Sequence, residues 1–78
     1  MKLTYDPEAG AACISLVPFK PGMSKETVPV DIDGHAFAFD FDAEGRLVSI
    51  EVQNAAKVLP ASVLKSASRP ERQRAPRS

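Results

Sequence analysis

The residues best placed to do chemistry are four acids on one short stretch: Asp40, Asp42 and Glu44 at alternate positions, then Gly45, then Glu51. This order nearly reproduces the calcium-loop pattern D-x-[DN]-x-[DN]-G-x5-E, and Leu47 falls where that loop needs an aliphatic residue. Carboxylates alternating around a tight glycine turn can converge on a hard cation, with a final bidentate Glu closing the shell. Acids in pairs also raise general acid–base catalysis, because two carboxylates divide those roles when their surroundings split their pKa values. The sequence names no such surroundings: His35 is the sole histidine, Cys13 the sole cysteine, and no nucleophile stands beside a base. No catalytic residue is assigned, no cofactor is implied, and the chain is read as non-enzymatic.

What positions these acids is a hairpin. Between Ala36 and Val52, Phe37, Phe39 and Phe41 recur with period two, as do Val48, Ile50 and Val52 beyond Asp42-Ala43-Glu44-Gly45. Each segment therefore reads as a strand with one apolar face, which leaves no incoming helix for a calcium loop. On such strands Asp40 and Asp42 lie opposite the Phe side chains, and the favoured reading is a solvated acidic face with cross-strand partners such as Arg46. Gly45 suits the left-handed position that closes a tight loop, and Asp42 can bond the loop backbone. Two registers are open. A four-residue loop sets Phe41 opposite Arg46 and puts the three Phe with Val48, Ile50 and Val52; a three-residue loop sets Asp42 opposite Arg46 and throws Asp40 onto the Val48/Ile50 face. Burial favours the first, because a one-residue slip exchanges the faces. The expected core is Phe37, Phe39, Phe41, Val48, Ile50 and Val52.

The rest of the chain builds outward from this hairpin. Lys2–Tyr5 reads as a strand with Leu3 and Tyr5 on one face, turned by Asp6-Pro7-Glu8-Ala9-Gly10 into an antiparallel Ala11–Val17 strand. Ala12, Ile14 and Leu16 point one way along it, Cys13 and Ser15 the other; Cys13 reads as a small packed side chain rather than a reactive thiol. Two prolines and a glycine make residues 18–25 a loop. Strand character resumes over Thr27–Ile32, where Pro29 argues for a sheet edge, and Asp33-Gly34 can turn this strand tightly into the Phe strand. His35, beside that glycine, reads as solvated. After Val52 the pattern becomes helical: Asn54 can cap a short turn, Pro60 interrupts it, and Leu59, Val63 and Leu64 offer a narrow apolar stripe.

Seventy-eight residues with 44% apolar content make one small domain with a thin core and no disulfide framework, for which self-association is a natural remedy. No apolar run approaches the roughly 20 residues needed to span a bilayer, and the amino terminus lacks the apolar centre of a signal peptide, so the expectation is a soluble cytoplasmic protein. The zero net charge hides an asymmetry: up to Ala56 acids prevail, and from Lys57 onward Glu71 alone opposes the bases. From Ser68 the chain is rich in proline and arginine without a large apolar residue, and disorder is expected over residues 68–78. Arg69, Arg72, Arg74 and Arg77 could neutralise phosphates there, giving weak, non-specific nucleic-acid binding.

Tyr5-Asp6-Pro7-Glu8-Ala9, the stretch Asp40 to Val52 (DFDAEGRLVSIEV) and Asn54-Ala55-Ala56-Lys57 resemble the small bacterial domain-of-unknown-function family DUF2283, over roughly Met1 to Leu59. Chains of that family begin with a similar YDPEAD-type turn and end with a similar DEDGRLVGIEI-type hairpin and short helix. This chain departs at Gly10, where an acid is usual, at Ala12-Cys13, where larger residues are usual, at Ser49, where glycine is usual, and in a longer 18–25 loop. The resemblance implies no activity and no site residue; some members sit beside small toxin-like genes, which points to an antitoxin-like role. The expectation is thus an α+β domain over residues 1–67: an antiparallel meander of about four to five strands, one short C-terminal helix packed on the sheet, and a disordered basic tail. The leading function is protein interaction, with a partner or a second copy meeting the sheet and the acidic face engaging a basic partner. Nucleic-acid binding by the tail and weak Ca²⁺ binding by Asp40, Asp42, Glu44 and Glu51 are the alternatives.

Overall fold

The computed structural model describes residues 1–70 apart from 19 and 21. Five strands form one antiparallel sheet: β1 (Lys2–Asp6), β2 (Ala11–Ser15), β3 (Glu26–Ile32), β4 (His35–Phe41) and β5 (Leu47–Val52). Two short helices follow, α1 (Ala55–Val58) and α2 (Ala61–Ser66), on either side of the Pro60 interruption read from the sequence, where a short turn and one covering helix are expected. Proline separates them: Pro60 cannot continue α1, and with its extended backbone it becomes the N-cap of α2.

The sheet order is β1-β2-β5-β4-β3, so the expected meander holds for β3-β4-β5 and for the β1-β2 hairpin but not between them. The connection from β2 to β3 crosses past β5 and β4, a step of three strand spacings or roughly 14 Å. A proline-rich loop fits that task, since it cannot make the two-residue turn that would set β3 beside β2. β5, the last strand in sequence, consequently lies at the centre. Asp33 and Gly34 both take positive φ (52° and 79°) in the tight turn between β3 and β4.

The β4–β5 register matches neither expected loop. Phe41 pairs with Leu47, as a three-residue loop requires, but the ladder then shifts by one, and Asp40 pairs with Ser49, Phe39 with Ile50 and Phe37 with Val52. Val48 is the extra residue of a β-bulge, which returns the Phe residues to the aliphatic face after a turn that would have misplaced them. Across the five strands this yields whole apolar rungs, Leu3–Ile14–Ile50–Phe39–Val28 and Tyr5–Ala12–Val52–Phe37–Val30. It also yields a polar rung on the other face, Lys2–Ser15–Ser49–Asp40–Thr27.

The helices pack on the apolar face. Ala55 is fully buried, its amide bonded to the carbonyl of Gly10 at 2.9 Å, and Val58, Leu59 and Leu64 close over Ala12, Val52, Leu3, Tyr5, Phe37 and Ile50. Among the described residues the buried apolar set is Ala12, Val48, Val52 and Ala55. Of the expected core only the two valines are in it; Phe37, Phe39, Phe41 and Ile50 are half-buried, because helices of four and six residues are too short to roof a five-stranded sheet. Asn54 stands before α1 in the left-handed conformation and makes no side-chain cap bond.

Each sheet edge carries one obstacle to a further strand. At β1, Tyr5 donates its amide to Ser68 at 2.8 Å and Ser68 donates to Leu3 at 3.0 Å, so Ser68 is paired rather than part of a free tail. At β3 the obstacle is chemical. Gln53 donates to the Ala36 carbonyl, which by alternation turns the backbone groups of Ala36, Ala38 and Asp40 toward β5 and those of Phe37, Phe39 and Phe41 toward β3. Pro29, opposite Ala38, therefore faces outward: the β3–β4 ladder loses no donor, and the outer edge does.

Candidate functional site: an acid pair on the polar sheet face

The polar rung and its neighbour, Thr4–Cys13–Glu51–Ala38–Pro29, form the floor of a shallow groove of about 330 Å³ lined by Cys13, Ser15, Ser24, Thr27, Asp40, Ser49 and Glu51. It lies on the face opposite the helices. The long β2–β3 loop contributes Ser24 to its wall, so the same crossover that sets the strand order also shapes the groove.

Asp40 is at its centre, and it is not the solvated acid expected from the sequence: only 4% of it is exposed. The bulge accounts for this, because it sets Asp40 opposite Ser49 on the central strand. Thr27 donates its hydroxyl to Asp40 Oδ1 at 2.6 Å and Ser49 donates to Oδ2 at 2.6 Å. Burial alone would raise this carboxyl; hydrogen bonds from Glu51, Ser49, Thr27 and Ser24 together outweigh burial and hold it below the ordinary aspartate value. Glu51, one rung away on β5, moves the other way. Its hydrogen bond to Asp40, then burial, then the Asp40 charge push it up to about 7.

The surroundings that divide two carboxylates, absent from the linear sequence, are thus supplied by the fold. Cys13, directly across from Glu51, has its thiol raised by burial, against a 3.8 Å contact with Ser15 Oγ and with help from the Glu51 and Asp40 charges. A thiol so placed is held protonated and is a poor nucleophile.

The four calcium candidates do not converge. Asp42 closes the turn instead: its Oδ1 accepts the amides of Glu44 and Arg46 at 2.9 Å each, and its Oδ2 accepts Arg46 Nε at 3.1 Å. The Arg46 amide, then the Glu44 amide and the Arg46 side chain, hold Asp42 low against its desolvation. Glu44 pairs with the Arg46 guanidinium. Among the described residues no group of three or more His, Cys, Asp or Glu side chains is placed to hold a metal ion. Arg69 is exposed beyond the last helix, and Arg72, Arg74 and Arg77 lie outside the described residues.

A family model described as a protein of unknown function, DUF2283, matches residues 2–55, which takes in all five strands and the start of α1. The chain belongs to the DUF2283 family. Every residue lining the groove falls inside the DUF2283 match, whereas α2, Ser68 and the arginine-rich end fall outside it. No curated protein and no solved structure matches the chain significantly. Among the described residues no helix is long and apolar enough to cross a membrane.

Cys13, Ser15, Ser24, Thr27 and Ser49 carry no local signal of a site. Only the pairing of β4 with β5 one residue beyond the turn register, and of β5 with β2, brings them around Asp40.

Proposed function

We propose that this DUF2283 chain is a non-enzymatic protein-interaction domain whose polar sheet face receives a basic side chain of a partner. The observation that carries this is the Asp40–Glu51 pair: two acids share an open groove whose lining, among the described residues, holds hydroxyls and a thiol but no lysine, arginine or histidine. A lysine or arginine entering from outside meets the negative charge of Asp40, which Thr27 and Ser49 already hold in place, and this favours association without ordering that carboxylate afresh. The alternative route, adding a strand to the sheet, is hindered at both edges, by Ser68 at β1 and by Pro29 at β3. A partner of basic character fits the acidic excess of the first 56 residues, and a small toxin that binds nucleic acid has that character, so an antitoxin-like role is one case of this function.

The test is an amide chemical-shift titration of the full chain with a short lysine/arginine peptide at two salt concentrations. Shifts concentrated at Cys13, Thr27, Ser49 and Glu51, weakened by salt and lost in Glu51→Gln, support the proposal. Shifts elsewhere, or none, remove it. A parallel titration with a single-stranded oligonucleotide separates this function from adhesion by the arginine-rich end, which would respond without touching the groove.

A further inference from the structure

Asp40 and Glu51 line one groove from neighbouring strands, one rung apart, and the first of them has no freedom to move away. Asp40 is 96% removed from solvent, and each of its oxygens is taken by a hydroxyl at 2.6 Å. Two hydroxyls aimed at its two oxygens favour the charged form of Asp40. A second carboxylate can sit against it only by bringing a proton to lie between them. Glu51 is that member: it is half-buried, on the central strand, and its longer side chain has rotamers that reach solvent.

We propose that Glu51 and Asp40 share one proton across the β4–β5 ladder, and that its loss to solvent swings Glu51 out of the groove. The groove is then singly charged and covered by Glu51 in acid, doubly charged and open once the proton has left. The proton passes to water and no other bond changes.

Among the described residues, the other charged groups on this face do not remove the need for that proton. Cys13 on β2 is next to Glu51 and is neutral, with its thiol raised. Lys2 on β1 shares the Asp40 rung but is three strand spacings away, roughly 14 Å, beyond the screening length of physiological salt. On β3, Asp31 follows Thr27 by four residues, roughly 13 Å along the strand, and it is turned to the β3–β4 hairpin, where it accepts the Gly34 amide. Lys25, on the loop before β3, is exposed. Beyond it Asp42 and Arg46 neutralise each other at the turn. The dyad is left to titrate with its own partner, and Glu51, pushed to about 7, does so near neutrality.

Using this switch to gate a partner rests on the function proposed above; the switch itself does not. It is read without a partner, by following side-chain carboxyl carbons in the isotopically labelled full chain from pH 4 to 9. The expected result is a Glu51 midpoint more than one pH unit above the ordinary glutamate value, a change in the Glu51 side-chain rotamer through the same transition, and return of the midpoint to the ordinary range in Asp40→Asn. A Glu51 that titrates normally in the unaltered chain, or titrates high without changing rotamer, overturns the proposal. Should Asp40→Asn not fold, Glu51→Gln replaces it: the Asp40 carboxyl carbon, which in the unaltered chain shifts as Glu51 titrates, must then show no transition near neutrality, and a persisting one also overturns the proposal.

Discussion

Ser49 Oγ donates to Asp40 Oδ2 at 2.6 Å directly across the β4–β5 ladder, and these two are the only buried polar residues among those described, at 3% and 4% exposure. Removing a hydroxyl that serves a buried carboxylate forfeits a charge-assisted bond and leaves desolvation uncompensated, a loss of about 1.5–3 kcal/mol. Ser15 stands on the same rung beside Ser49, but its hydroxyl meets only the Cys13 sulfur at 3.8 Å. Ser49→Ala is therefore expected to lower the urea midpoint clearly while Ser15→Ala barely moves it. Equal effects would mean that the rung matters by packing and not by its bond to Asp40.

Stability should peak in mildly acidic solution. Glu51 is raised from 4.5 to about 7 in the folded chain, so between those values the folded state binds more protons than the unfolded one and stability falls as pH rises through that window. The full loss, above the folded value, is about 2–3 kcal/mol after allowing for partial exposure. Asp40 is lowered below 3.8, so its contribution is present above the unfolded value and disappears as pH falls through the folded one. Urea midpoints measured between pH 3 and 8 should rise and then decline, and Glu51→Gln should flatten the upper limb alone. A midpoint that increases steadily to pH 8 contradicts the sign.

The β4–β5 turn depends on Gly45, whose φ is +79° with open space where a Cβ would stand. Alanine there meets no clash but must hold the left-handed conformation, which costs about 1 kcal/mol. Asn54, at φ 50° without a cap bond, is the converse: Asn54→Gly relieves strain and should be neutral or slightly stabilising. Thermal midpoints of the two variants check the pair, and a Gly45→Ala chain as stable as its parent would show that the bulge, not the glycine, sets the register.

The period of two in AFAFDF and LVSIEV was enough to place both strands, because alternation survives any register. The bulge at Val48 was not legible: it inserts a residue inside an unbroken alternating run, and nothing local distinguishes it from a plain strand. That one insertion decides whether Asp40 faces solvent or Ser49. The site was hidden for the same reason, since hydroxyls from β2, β3 and β5 converge only once β5 is known to lie between β2 and β4. The half-burial of the Phe residues escaped too: helix length, not strand pattern, sets how much of the face is roofed. Pro29 was legible as an edge marker because a missing donor has the same meaning in any topology.

Pro29 makes the last prediction. It lies midway along a seven-residue edge strand with its nitrogen turned outward, between Thr27 and Asp31, whose backbone groups face the same way. Pro29→Thr restores the missing donor without disturbing the bonds that Val28 and Val30 make to β4, and a threonine suits an extended backbone. Monomer stability should therefore hold or improve slightly, while the edge becomes an uninterrupted template for a second β3. Sedimentation at rising concentration is expected to show association in Pro29→Thr beyond that of the parent chain. A variant that associates no more than its parent would locate the protection elsewhere, in the exposed acids Glu26 and Asp31 of the same strand, and Asp31→Asn combined with Pro29→Thr would then be the variant that associates.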